Sequence, residues 1–243
     1  CCHDTDLMTW FDEGHQPLYI SSFGERSVFS KNNKPEGAAK RCGDCKYYKD
    51  CTYSTYWNIK TDYMDPIIFQ NAFPGKNWNE LTLEDKEYVF KTSPSLGLCA
   101  FDGPQDLVDH QVTSVTFDNG VTCTLNMIGG TSYPCRTLHI ICTKGEIFGV
   151  LEENKIFERK YQKDKFDREL ITYDLGDVGI GHAGGDMRLI ADFINYLETK
   201  EKSISQTSID ASIDGHLIAI AADMADKNRR VVQFNSDRTL FLK

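Results

Sequence analysis

Hydrophobic and polar positions alternate along residues 107–175 in a series of short runs. Leu107 to Phe117 and Val121 to Met127 flank Asp118-Asn119-Gly120. Asn-Gly between such runs is a hairpin signal, because both central positions of a type I′ turn take positive φ. Further strand-like runs follow at 137–142, 146–151, 155–161 and 169–175, with turn signals at Lys144-Gly145 and Glu153-Asn154. Connections this short make antiparallel neighbours, so the pattern predicts a meandering sheet.

Elsewhere the period changes to that of a helix. From Asp186 to Leu197, the residues Leu189, Ile190, Phe193, Ile194 and Leu197 form one stripe, and Asp186 after Gly184-Gly185 is the expected N-cap. A second helix is predicted from Ile209 to Lys227, with Ile209, Ile213, Leu217, Ile220 and Met224 on one face and Thr207-x-x-Asp210 as a capping box. Val231 to Phe234 reads as a last strand. The opening residues, Cys1 to Phe11, read as the inside of an amphipathic helix, with His3, Asp6, Leu7 and Trp10 at i, i+3, i+4 and i+7. With neither an initiator methionine nor a signal peptide in front of this helix, a segment upstream is expected to have been removed.

The expected fold class is α+β: a mostly antiparallel meandering sheet with helices packed on one face, spanning 1–243 as a single domain. Residues 30–105 differ. They carry Pro35, Pro66, Pro74, Pro94 and Pro104, are dense in tyrosine, and read as a loop-rich insertion. At 243 residues the chain is long enough to bury a full core. No apolar run approaches the ~20 residues of a membrane span, so no membrane partner is expected. A net charge of -9 opposes the counterion release that drives nucleic-acid binding. Nine cysteines without a secretory segment suggest reduced thiols in the cytoplasm, or metal ligands, more than a disulfide framework.

Three groups of residues can carry chemistry. His3 and Asp6 form an imidazole–carboxylate pair one helical turn apart, suited to proton transfer, although a histidine on a packed helix also occurs without function. Cys42, Cys45 and Cys51 form a C-x2-C-x5-C cluster. Two cysteines at x2 spacing grip one tetrahedral ion from a tight turn, and a third follows within reach. Cys99 is the first choice for a fourth ligand, with Cys1 or Cys2 and His15 behind it, and zinc or a similar thiophilic metal is the expected ion. Reduced surface thiols or a redox pair are the alternatives. Finally, Gly179-Ile180-Gly181-His182-Ala183-Gly184-Gly185-Asp186 hands a strand end to a helix start. Its glycines allow close backbone approach by a substrate, and His182 and Asp186 supply a donor and an acceptor; a glycine-rich helix cap is the alternative.

The opening Cys2-His3-Asp4-Thr5-Asp6-Leu7-Met8-Thr9-Trp10 resembles the H-x-x-D-x-x-x-W/L helix of the glucose–fructose oxidoreductase, inositol dehydrogenase and MocA family. The resemblance continues through Asp109-His110-Gln111-Val112 and the hairpin, Thr143-Lys144-Gly145-Glu146-Ile147, the His182-Ala183-Gly184-Gly185-Asp186 turn and Ser212-x-x-x-His216-Leu217-Ile218-Ala219. The Arg41-Cys42 to Cys51-x-Tyr53 insertion is similar to that of a subgroup of bacterial members. Each motif is short, and their order along the chain gives them weight.

What the resemblance implies is a C-terminal domain without its N-terminal Rossmann domain. The family's Gly-rich dinucleotide loop and its E-K-P lysine motif are absent from these residues, and NAD or NADP would be bound by the missing domain. His3 matches the catalytic histidine and Asp6 the acid one turn later, while the family's further acid would lie upstream of Cys1. The implied reaction is hydride exchange with a sugar, polyol or related hydroxyl compound. A homodimer through the sheet face is expected from the pattern itself, because a sheet with helices on one side leaves its other face needing cover, and Val112, Leu125, Met127, Ile140 and Phe148 supply apolar atoms for it. The chain alone would be inactive. A non-catalytic ligand-binding or dimerisation module with a metal-stapled loop is the alternative, and a metal-dependent hydrolase built on His3, Asp6, His182 and Asp186 is a third reading.

Overall fold

A computed structural model describes residues 2–60, 71–76, 80–94, 96–103, 106–162, 169–178, 184–207 and 209–243. The chain divides into two compact units, 1–130 with 209–243, and 131–208. No helix among the described residues is long and apolar enough to cross a membrane.

In the first unit, α1 (Cys2–Phe11) packs on α5 (Ile209–Asn228), and α5 packs on a five-stranded antiparallel sheet. The sheet holds β1 (Pro17–Glu25), β2 (His110–Phe117), β3 (Thr122–Ile128), β8 (Val232–Phe234) and β9 (Leu240–Leu242) in the order β3-β2-β1-β8-β9. The core joins Ile20 of β1, Val115 and Phe117 of β2, and Val232 and Phe234 of β8 to Ile218, Ala221, Ala222 and Ala225 of α5. Alanines on the buried face let the helix lie close to the sheet, and Asp226 Oδ1 accepts from the backbone N–H of Gly24 at 2.8 Å.

The buried faces of both helices differ from the predicted ones. On α5 the inward stripe runs through Asp214, Ile218, Ala221, Ala222 and Ala225, while Ile209, Ile213 and Ile220 are exposed, and Leu217 and Met224 flank the core. Small alanines escape a pattern search that weights large side chains. The expected Thr207-x-x-Asp210 box spans residue 208, outside the described residues. On α1 the buried residues are Thr5, Met8 and Thr9, so His3 lies off the packed face. The β2–β3 hairpin forms as expected, but of Asn119 and Gly120 only Gly120 takes positive φ (+89°), and the Asn119 side chain accepts from the N–H of Val121 instead. Its turn is therefore not type I′.

The insertion is more ordered than its prolines suggest. It contains α2 (Tyr56–Lys60) and α3 (Leu83–Thr92), the latter begun by a Thr82/Asp85 capping box. Ile59, Leu81, Val89, Phe90, Leu96 and Cys42 form a second small core. Arg41 caps the end of α3, its Nη2 donating to the carbonyls of Ser93 (2.7 Å), Leu96 (2.9 Å) and Phe90 (3.3 Å).

Asp109, buried at the start of β2, fastens the loop that follows β1 to the sheet. Its carboxylate accepts from the backbone N–H groups of Ser27, Val28 and Phe29 at 3.2, 2.7 and 2.7 Å, and meets His110 Nδ1 at 2.8 Å. Burial pushes this carboxyl up, but the N–H of Phe29, the His110 ring and the N–H groups of Ser27 and Val28 outweigh it and hold it at about 2. A depressed carboxyl contributes stability above its unfolded value and loses it as pH falls through the folded one. We expect Asp109→Asn to cost about 1–3 kcal/mol at neutral pH, the range for a buried group stripped of charged hydrogen bonds. Urea unfolding should show that gap closing as the pH approaches about 2.

The second unit is a meander. Strands β4 (Thr137–Ile141), β5 (Gly145–Val150), β6 (Lys155–Lys160) and β7 (Leu170–Asp174) pair antiparallel in chain order. The strands expected between 107 and 175 are thus divided between two sheets. Helix α4 (Gly185–Thr199) is preceded by Gly184 as N-cap, so Asp186 sits inside its first turn. Its predicted stripe forms, but Leu189, Ile190, Phe193, Ile194 and Leu197 are all exposed, and none of the unit's described residues is buried. The residues expected to make one dimer face do not share a face. Pairing of Val112 with Asn126 puts Val112 opposite in direction to Leu125 and Met127, and pairing of Phe148 with His139 puts Phe148 opposite to Ile140.

Candidate active site

Helix α1 holds its two candidate residues by packing tightly on α5. Thr5 and Thr9 are buried polar residues satisfied within the helix, their hydroxyls donating to the carbonyls of Cys2 (3.0 Å) and Asp6 (2.9 Å). Where α1 meets α5, a glycine permits the contact: a Cβ on Gly215 would stand 3.0 Å from Asp6 Cα and 3.1 Å from Asp6 N. The Asp6 carboxylate is drawn into this junction. Its Oδ1 is buried and has no hydrogen-bond partner among the described residues, whereas His3, one turn earlier, is exposed. A buried acceptor with unused capacity calls for a partner. The half-buried Asp6 side chain can take a hydrogen bond from a hydroxyl brought to its accessible part, and the imidazole one turn away can exchange that hydroxyl's proton with solvent.

Next to Gly215, Asp214 is buried and already engaged. Arg238 grips it with two bonds, Nε to Oδ1 at 2.7 Å and Nη2 to Oδ2 at 3.1 Å, which fastens the β8–β9 hairpin to α5. Sequence reasoning missed Gly215, although a lone glycine inside a helical pattern is a recognisable sign of close approach.

The glycine turn belongs to the second unit. His182 lies outside the described residues. Gly184 is left-handed (φ +76°), and a Cβ there would fall 2.0 Å from the carbonyl oxygen of Val178, so only glycine fits. Asp186 stands in the first turn of α4, where a carboxylate complements the helix dipole.

Cys42, Cys45, Cys51 and Cys99 line one cavity of about 20 Å³. Cys2 and His15 do not line it; His15 Nδ1 instead meets Asp118 Oδ1 at 3.0 Å. All eight described cysteines are free thiols, and no three of the described His, Cys, Asp and Glu side chains are disposed as a metal-holding group. The thiols therefore ring the cavity without closing on one point. Burial pushes the Cys99 thiol up, which disfavours a reactive bare thiolate there.

On one face of the second sheet, His139 Nε2 and Arg159 Nη1 both meet the Glu146 carboxylate at 2.8 Å, and these two partners, His139 first, hold that carboxyl below its usual range. Arg159 lies over Phe148, which stacks on Phe157 at 5.4 Å between ring centroids. An open hollow of about 310 Å³ is lined by His139, Phe148, Phe157 and Arg159 of this group. Only the strand register brings them together, so spacing along the chain gave no sign of the group.

No protein-family model matches the chain, and no curated protein does. Solved structures do resemble it. An oxidoreductase domain protein from Kribbella flavida is 14% identical, with a TM-score of 0.53, over 95% of this chain and 49% of its own. The super-repressor mutant of Gal80p from Saccharomyces cerevisiae is 12% identical, with a TM-score of 0.54, over 96% of this chain and 47% of its own. The chain spans about half the length of these proteins. At this identity the likeness is one of fold alone.

Proposed function

We propose that the chain is the substrate-side half of an NAD- or NADP-dependent oxidoreductase acting on the CH–OH group of a sugar, polyol or related hydroxyl compound. The observation that carries this reading is the half-buried Asp6 carboxylate, one oxygen of which is buried without a partner among the described residues, one turn from solvent-facing His3 on a helix seated against Gly215. In this reading Asp6 accepts a hydrogen bond from the substrate hydroxyl and orients it. His3 takes the hydroxyl proton during oxidation and returns it in the reverse direction. A nicotinamide bound by a domain outside these residues supplies the hydride acceptor. In this reading the chain alone does not turn over.

A second unit with no buried residue among those described needs cover for its sheet and for the α4 stripe. We take that cover to include a second copy, giving a homodimer through the sheet. Eight free thiols among the described residues support a reducing, cytoplasmic setting. The alternative, a non-catalytic ligand-binding or dimerisation module, draws support from the same fold in a protein described as a super-repressor, because fold does not dictate catalysis.

Calorimetry of the intact protein with NAD and NADP, followed by a screen of sugars and polyols for reduced-nicotinamide absorbance, separates the two. The oxidoreductase reading expects micromolar binding of one dinucleotide and turnover of at least one hydroxyl substrate. An intact protein that binds neither dinucleotide is the non-catalytic module.

A further inference from the structure

We infer that Cys42, Cys45, Cys51 and Cys99 bind one soft tetrahedral cation, zinc foremost, as a four-thiolate staple of the insertion, independent of hydride transfer. The backbone already gathers the four positions. Cys42 opens a 3₁₀ turn that Cys45 closes, its N–H donating to the Cys42 carbonyl at 3.1 Å, which is the compact turn that an x2 pair needs to grip one ion.

The fourth position comes from a distant segment through strand register. Arg41 bridges Leu98 antiparallel, flanked by bonds from Cys42 N to Gly97 O (2.7 Å) and from Cys99 N to Lys40 O (2.9 Å). Cys42 and Cys99 therefore lie one step either side of the bridged pair, and residues so placed emerge on the same face of the ribbon. Cys51 returns by a further turn, its N–H bonded to Tyr47 O at 2.8 Å.

The size and surroundings of the cavity select the guest. A volume of about 20 Å³ holds one atom-sized body, since a water needs ~10–15 Å³ by this measure. It excludes an organic cofactor. Oxygen-loving Mg²⁺ or Ca²⁺ would find sulfur ligands there, which they do not favour. The sulfurs do not meet at a common point, but rotation about χ1 between staggered wells moves a sulfur without moving its backbone. On binding, each thiol gives one proton to solvent, four in all, and no electron is transferred.

The test uses the full-length protein purified without chelator. Metal analysis after gel filtration should find about one equivalent of zinc, and the cobalt(II)-exchanged protein should show sulfur-to-metal charge-transfer and visible bands of a tetrahedral thiolate site. Alkylation with mass mapping should label Cys135 and Cys142 and spare the four until the metal is stripped. Cys99→Ser should weaken these bands, with Cys142→Ser as the unaffected control. Because Cys99→Ser can fail to fold, the cobalt spectrum of the unmutated protein decides by itself. Less than about a tenth of an equivalent of bound metal before and after loading with zinc or cobalt, or a native disulfide among the four, overturns the assignment.

Discussion

Replacing His3 with alanine in the intact protein is expected to lower turnover by about 10²–10⁴-fold, the usual contribution of a positioned acid–base group. Dinucleotide affinity should stay within about twofold, since the imidazole contributes to the chemical step and not to cofactor binding. Asp6→Asn should also slow turnover while raising KM, because the amide retains an acceptor oxygen but loses the charge that strengthens its bond to a substrate hydroxyl. Steady-state kinetics, with fluorescence titration of the cofactor, measures both. A His3→Ala variant that keeps more than about a tenth of the turnover is not missing its proton carrier. The Asp6 result then shows whether the half-buried carboxylate acts alone.

Legibility in the sequence followed the range of the interactions. Strands β4 to β7 were readable because alternation and turn residues are local, and Asn154 does take the left-handed conformation (φ 54°) expected of a turn residue. Strand β1 escaped notice. Its pattern, Pro17 to Glu25, mixes Tyr19, Ser21, Ser22 and Phe23, and its burial is settled by β2 on one side and β8 on the other, neighbours about 90 and more than 200 residues away. The buried side of α5 was misread for a related reason. Ile209, Ile213 and Ile220 outweigh alanine in any hydrophobic pattern, yet close packing on the sheet favours Ala221, Ala222 and Ala225.

The candidate sites divide in the same way. His3 and Asp6 share a helix, so their spacing could be read directly, whereas the reason Asp6 is held in place comes from Gly215, 209 positions further on. The x2 pair of cysteines was visible from its turn. Cys99 was only a candidate until the Arg41–Leu98 bridge placed it beside them. The Glu146 group could not be found at all without register, because each of its members is ordinary where it stands in the chain.

Gly215 makes the strongest connection between packing and chemistry, and substituting it tests both. A Cβ at this position meets the Cα and N of Asp6, which are backbone atoms that no side-chain rotation can withdraw. Helix α1 must then shift as a whole. Gly215→Ala gains about 0.8–1.0 kcal/mol of helix propensity, which partly offsets the crowding, so its net effect on stability should be small. Gly215→Val adds two further carbons without that full propensity gain, and overpacking of this kind typically costs ~1–3 kcal/mol. Its urea midpoint should fall with an unchanged m-value. Turnover should fall further than stability explains, by ~10²-fold, because moving α1 by roughly 1 Å displaces the Asp6 carboxylate and His3 together. A Gly215→Val protein with the parent's midpoint and turnover would mean that α1 does not rest on this glycine, and the buried Asp6 oxygen would lose its place as the organising feature of the site.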